Sequence, residues 1–471
     1  MAGRRVDSVA VFCQEAKAMM RLLPAEWRRF IRNPVNLWVI AAFFILLAAS
    51  AISSGIAASE FRGREFIRVA AIDANKFTPT EMHDAPGTGK GGHTSKLADS
   101  TTVRLPVLGG LALSVRQVDL LGSELRISSR SRYTDGRNSD QLFNPLLREL
   151  GLPDFATVLA LLLPLTVIAV TYGLVQEDRE RGVWRLVCAQ MAQPWRLVFA
   201  ALAVRWAMVL VPVVAASLLA FILDSGSTVY AASYWLVFVG LFTGLWIAIA
   251  GLFLLLPVSS GAAAVGLLGV WLVTTFALPA GLSWAANGEQ AMPSRLEAIV
   301  DIRGVQAQTS TQQAELLSAW YRSHPDIPPV TEPSREIAGL PANLELDGKL
   351  RPLMYRFDEV RKAHFEFMER WSALSPGLAV VLTADRLAGI DAPRYAEYID
   401  TVNQFEDRWR AFFVHRIIGK QAMSASDDQQ QPIFKPLLTA TAAWTVLVRQ
   451  LLVGIFLSGL LIRLRKRFAK P

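Results

Sequence analysis

The chain has 471 residues and a formal net charge of +8, with 52% hydrophobic and only 19% charged residues, whereas soluble globular chains carry about a quarter charged. That balance excludes an ordinary soluble domain and points to a membrane protein. The positive charge does not signal nucleic acid, because Lys and Arg crowd the chain ends and one bend between apolar runs.

Residues 1–35 carry Arg4, Arg5, Lys17, Arg21, Arg28, Arg29 and Arg32, and residues 16–31 mix apolar with basic side chains as an interfacial helix does. Residues 36–56 are a first apolar span, too long and too far along for a cleaved signal peptide. The positive-inside rule places its leading end in the cytoplasm. Residues 57–153 are polar, with a Gly-, Thr- and His-containing loop from Thr78 to Thr94. Beyond the loop, Leu111, Leu113 and Val115 alternate with Ala112, Ser114 and Arg116, and Leu125 and Ile127 repeat the pattern, which predicts short strands.

A second span, 154–175, ends in the run Gln176 to Gly182, and a short amphipathic piece leads through Pro194 into a third span, 201–223. A lipid-buried run must satisfy its own backbone, so both spans are expected as helices and the bend at 176–200 as a wet elbow. An outer turn at 224–232, a fourth span at 233–256, an uncharged inner turn at 257–261 and a fifth span at 262–282 follow. Residues 283–436 are a second wet segment, long enough for a domain. Within it Leu353, Phe357, Val360, His364, Phe367 and Trp371 form one helical seam, and Tyr395, Tyr398, Val402, Phe405, Trp409 and Phe412 another. The stretch from Pro376 to Pro393 reads as the connection that folds them into a hairpin packed on itself, with His364 a hydrogen-bonded core residue. The last span, 437–462, precedes a basic tail, 463–471. Two basic cytoplasmic ends require an even number of crossings, and six are counted. The fold class is thus a polytopic α-helical membrane protein with six transmembrane helices and a mixed α/β extracytoplasmic domain built from two insertions. The cysteines, Cys13 and Cys188, fall in segments placed inside the cell, so no disulfide framework is expected.

Two arginines fall inside apolar runs. Arg449 sits near the middle of the last span, where an ionised side chain is costly and marks a functional candidate unless a tilt or snorkelling wets it. Arg205 lies within a turn or two of the cytoplasmic interface, close enough to snorkel. His83, Asp84 and His93 lie in a Gly-rich loop that fixes no metal geometry, so no metal site is assigned. The cluster Gly87 to Gly91, with Lys90, lacks the spacing and the following Ser or Thr of a phosphate loop. No hydrolase or metalloprotease motif is present, so no catalytic residue and no cofactor bound by this chain is expected. Pro164, Pro212 and Pro279 are candidate kinks.

The elbow is the strongest local signal: a charged helix end, a Gly break and an amphipathic run make either a docking block or a solvated loop whose arginines fix topology. Glu177-Asp178-Arg179-Glu180-Arg181-Gly182-Val183-Trp184-Arg185-Leu186 with Gln193-Pro194 resembles the coupling region of ABC-2-type transporter permeases. Ser375-Pro376 and Leu387-Ala388-Gly389 resemble one subfamily, with large outer insertions after the first and before the last span. Val183 stands where the family usually has Thr, and the Lys that often starts the next span is absent. The resemblance implies a permease subunit, an exporter by class, in the bacterial inner membrane with both termini cytoplasmic. It further implies an ATPase dimer that supplies ATP and Mg chemistry in trans at Glu177 to Gly182, Trp184 and Arg185, a second permease copy or paralogue, contact with membrane lipid and a periplasmic partner. The competing expectation is a non-transporting scaffold or sensor whose outer domain binds a partner.

Overall fold

The computed structural model describes residues 22–77, 100–118, 121–131, 153–419, 430–436 and 444–469. Cys13, His83, Asp84, the Gly87 to Gly91 cluster, His93 and the first 21 residues of the interfacial segment lie outside the described residues. Six helices are long and apolar enough to cross a membrane: Pro34–Gly63, Phe155–Glu180, Trp195–Leu223, Val229–Phe253, Ser260–Glu289 and Trp444–Phe468. The chain is a multi-pass helical membrane protein.

In chain order, residues 22–32 form α1 and Pro34–Phe77 form α2, which at 44 residues is about 66 Å long and runs well past the bilayer. Strands β1 (Ser100–Arg104) and β2 (Glu124–Ser128) flank a 3-10 turn, Leu111–Leu113, and a single helical turn α3, Val115–Val118. Then come α4 (Phe155–Thr171), the elbow helices α5 (Gln176–Glu180) and α6 (Val183–Gln190), α7 (Trp195–Leu223) and α8 (Val229–Phe253). The fifth span joins α9 (Ser260–Leu272) through a π turn, Val273–Ala277, to α10 (Leu278–Glu289). The second insert is α11 (Arg295–Thr311), α12 (Gln313–Ser323), α13 (Arg335–Trp371), α14 (Pro376–Ala388) and α15 (Ala392–Ile418), and α16 (Trp444–Leu464) is the last span.

Local chemistry explains most of these limits. Thr228, Ser259, Ser294, Ser334, Ser375 and Asp391 each accept an amide hydrogen bond at a helix start, the role for which short oxygen-bearing side chains are suited. Pro279 lacks an amide and crowds the carbonyl four residues back, and the π turn that precedes it absorbs the mismatch. The spans are unequally enclosed. The second is 67% buried and the fourth 56%, against 11% for the fifth and 22% for the first and last. The second and fourth are therefore the bundle centre, while Trp38, Ile45, Val265, Leu272, Ile455 and Phe456 present apolar surface outward.

At the end of the bundle away from the elbow the two inserts interlock. Leu108 N donates to Ala388 O (2.8 Å) and Gly110 N to Leu387 O (3.0 Å), so backbone of the first insert pairs with the last turn of α14. Helix α14 packs between the second span and the π turn of the fifth, and Leu111, Ala112, Leu113 and Ser114 are buried beneath it. Gly109 and Gly110 permit that approach. A Cβ on Gly109 would lie 2.3 Å from Thr228 Oγ1, and one on Gly110 would lie 2.7 Å from the Leu387 carbonyl carbon. Gly389 closes α14 at φ +77°, a conformation that glycine adopts without strain.

Two expectations change here. The mixed α/β domain reduces, among the described residues, to one antiparallel pair, with Ser100 opposite Ser128 and Val103 opposite Leu125, in otherwise helical inserts. Leu125 and Ile127 do fall on β2, but the 111–116 alternation does not mark a strand: Ala112 and Ser114 are as buried as Leu111 and Leu113, so no solvent face exists for a period of two to report. The expected hairpin connection, Pro376 to Pro393, is mostly the buried helix α14. The two long helices do pack together, yet their seams differ. Tyr398, Val402, Phe405 and Trp409 are buried, whereas Leu353 to Phe367 is half-buried and Trp371 exposed. Inside the pair Arg410 meets Asp347 (2.5 Å) and Glu406 (2.7 Å) and donates to Arg130 O (2.9 Å), fastening both helices to the end of the β pair. The substitution Gly110→Ala is expected to cost about 1–3 kcal/mol, because the obstacle is backbone. Gly304→Ala, in the open interior of α11, should be neutral or stabilise by up to about 1 kcal/mol. Unfolding of the two purified variants in detergent micelles checks the contrast.

Candidate functional site

The elbow lies at the end of the bundle opposite the inserts, and three other chain segments converge on it. Gly182, at φ +73°, separates α5 from α6; open space surrounds its Cβ position, so the requirement is conformational rather than steric. Helix α5 spans the turn between the fourth and fifth spans. Gln176 Nε2 donates to Phe253 O (3.1 Å), and Arg179 Nη1 donates to Leu254 O (3.3 Å) and Leu256 O (3.0 Å), meeting the carbonyls left open where α8 ends. One residue on, Glu180 accepts from Ser260 N (2.7 Å) and Ser260 Oγ (3.1 Å) at the start of α9. A cation at a helix C-terminus and a carboxylate at a helix N-terminus both match the macrodipole.

The second segment is α1. Asp178 pairs with Arg29 (3.2 Å), Arg29 with Glu26 (3.8 Å), and Glu26 with Arg205 (4.0 Å). Arg205, expected to snorkel outward, instead points inward. Its Nε donates to Val170 O (2.7 Å), its Nη1 to Ala201 O (3.1 Å), and its guanidinium lies 5.8 Å from the Phe30 ring centre. Burial pushes the Glu26 carboxyl above its usual range, against the pull of Arg29 and Arg205. The third segment is the tail. Trp184 is buried and its Nε1 donates to Phe468 O (3.2 Å), Cys188 Sγ lies 3.8 Å from the same oxygen, and Arg465 stands 4.6 Å over Trp195. Burial raises the Cys188 thiol pKa, which disfavours the reactive thiolate.

The sequence-predicted residues thus divide by direction. Asp178, Arg179, Glu180 and Trp184 hold the elbow to its neighbours, while Glu177 pairs with Arg181 (3.6 Å) at the surface. Arg181, Gly182, Val183, Arg185 and Leu186 are exposed, Leu186 at 61%. Beyond Gly182 the outward face is therefore aliphatic and basic, with Glu177 and Glu180 also reaching solvent before it, on a base made rigid by hydrogen bonds.

Arg449 belongs to a second cluster at the far end of the bundle. It stands on the second described turn of α16 and its Nη1 donates to Glu369 O (2.8 Å) near the end of α13. The Glu369 carboxylate also accepts from Thr445 Oγ1 (2.8 Å) and forms an ion pair with Arg386 of α14. Close by, Ser375 Oγ donates to Thr274 O (2.6 Å), satisfying a carbonyl within the π turn. Glu369, Arg386 and Asp385 were missed from sequence, although Asp385-Arg386 stands between the Ser-Pro and Leu-Ala-Gly pieces and was a usable signal. His364 lies half-buried with Nε2 2.6 Å from Gln290 O, where the fifth span ends, rather than in a core. Among the described residues no three metal-ligating side chains come together.

Residues 295–436 match the model of a domain of unknown function (DUF3526). The matched stretch is the second insert and contains none of the six spans. No curated protein and no solved structure matches.

Two outcomes follow from the clusters. Trp184→Phe removes the only side-chain N–H that the residue offers to Phe468 O; a loss of about 1–3 kcal/mol in unfolding free energy is expected, with earlier proteolytic release of the tail. Asp385, partly buried, hydrogen-bonded by Ser114 Oγ (2.5 Å) and near Asp154 and Asp391, has its carboxyl pushed up to about 7, chiefly by burial. The folded chain therefore keeps a proton that the unfolded chain releases near pH 4. Its contribution to stability is fully present below that pH and is lost as pH rises toward about 7, with a slope of at most about 1.4 kcal/mol per pH unit. Thermal midpoints of wild type should fall across this window, and those of Asp385→Asn should fall less.

Proposed function

We propose that this chain is the permease subunit of an ATP-driven ABC-2-type transporter in the bacterial inner membrane, with the elbow face and both termini cytoplasmic and the two inserts extracytoplasmic. The observation that carries the reading is the divided elbow: an outward face of Arg181, Val183, Arg185 and Leu186 on a base fixed to three other segments. A loop that only set topology would need no such bracing. A dimeric ATPase supplied in trans, holding ATP and Mg, would press on that face. Because α5 bonds to α1, to the turn between the fourth and fifth spans, and through α6 to the tail, the displacement would reach the bundle as a whole.

The bundle centre is filled and its far end is occupied by α14 and residues 105–118. A path through one copy is therefore less favoured than one between two, and the outward apolar faces of the first, fifth and last spans support pairing with a second copy or a paralogue. The reading assigns no catalytic residue to this chain.

The test is co-purification with the ATPase encoded beside the gene. Wild type should retain it stoichiometrically, and Arg181→Glu with Leu186→Asp, both at exposed positions, should lower retention at least about tenfold while leaving the thermal midpoint within a degree or two of wild type. An intact preparation that holds no ATPase, or a double variant that keeps both ATPase and ATP-dependent export, would sink the assignment.

A further inference from the structure

The basic tail is not a free end. Residues Arg465–Ala469 continue α16 as a 3-10 turn whose Phe468 is fully buried and bonded to Trp184. The fold thereby gathers Arg185 of α6, Arg196 of α7, and Arg463, Arg465, Lys466 and Arg467, on three elements packed through Trp184 with Phe468 and Trp195 with Arg465. None of these elements contains an Asp or Glu. The acids of the elbow and α1 are engaged elsewhere: Glu26 and Asp178 with Arg29, Glu177 with Arg181, and Glu180 with Ser260. Arg463, Lys466 and Arg467 are exposed, and no ion pair among the described residues engages them.

Like charges drawn together repel unless anions lie between them. The position of the cluster says which anion. Arg463 directly follows Ile462, an exposed apolar residue of the last span, so the cations begin where lipid-facing helix ends. Trp195, an aromatic at the end of another span, sits among them. At that depth a bilayer presents phosphate, the anion that clustered Lys and Arg side chains attract there. We propose that Arg463, Lys466 and Arg467, with Arg185 beside them, form a binding site for the headgroups of anionic phospholipids. Because the tail is also the strap over Trp184, an occupied site holds α6 more firmly, and the lipid composition of the leaflet sets the stiffness of the elbow. The proposal does not depend on an ATPase partner.

The full-length protein in nanodiscs of phosphatidylcholine with phosphatidylglycerol should, on extraction, retain phosphatidylglycerol above its bulk fraction. Replacing Arg463, Lys466 and Arg467 together by Gln should reduce that enrichment about tenfold or more, and raising NaCl should weaken it in the wild type. A charge-keeping variant, Arg463→Lys with Arg467→Lys, should retain most of it, which separates loss of charge from loss of fold. Retention of the two lipids in bulk proportion by wild type, enrichment insensitive to salt, or enrichment unchanged in the triple Gln variant would each overturn the site. So would a triple variant that loses a protein partner while keeping its lipid, since the cations would then face that partner.

Discussion

A carbonyl freed where a membrane helix ends or bends has no water to turn to, and an unmet carbonyl in an apolar setting costs several kcal/mol. Much of this structure is a set of answers to that constraint. Arg179 meets the end of α8, Arg205 meets Val170 in the last turn of α4, Trp184 meets the end of the tail, and Ser375 meets the π turn. In each case the donor comes from a different element than at least one acceptor. A local backbone debt is thereby turned into a tertiary tie.

The ties collect at the two ends of the bundle, and the last span takes part in both. At one end its tail lies under Trp184, and at the other Thr445 and Arg449 hold Glu369, which also pairs with Arg386 on α14. Helix α14 in turn carries the backbone contacts that join the two inserts. A straight helix of this length transmits displacement better than a loop would, since its own hydrogen bonds resist bending. Under the proposed reading the last span is one physical route between elbow and outer domain.

Spans were legible because a 20-residue apolar run has few alternatives, and the elbow because charge between two such runs must leave the hydrocarbon. The seam from Tyr398 to Trp409 was legible because one face is buried and the other wet. What periodicity could not show was α14 or the 105–118 segment. Both are enclosed on nearly all sides, so Ala379, Ala384, Thr383 and Ser114 are buried alongside leucines and no stripe survives. Arg205 and Arg449 were visible as anomalies, but their partners are carbonyls, which every residue possesses and no sequence pattern marks. Glu369 likewise reads as one more acid on a charged helix until α14 and α16 are brought beside it.

The elbow shows why a run of charged residues need not be read as a single surface. Its residues divide in duty around the Gly182 break: Asp178, Arg179 and Glu180 turn toward α1, α8 and α9, whereas Arg181, Arg185 and Leu186 turn away. The acids that dominate the run in the sequence are spent on the fold, since Asp178 neutralises Arg29 and Glu180 caps α9. The residues beyond Gly182 left to meet anything outside the chain are basic and aliphatic, and Val183 joins them where a hydroxyl would have offered a local cap or a polar contact. Any partner complementary to this face must therefore bring acidic groups around an apolar recess, and it must do so against a base whose own charges are already matched.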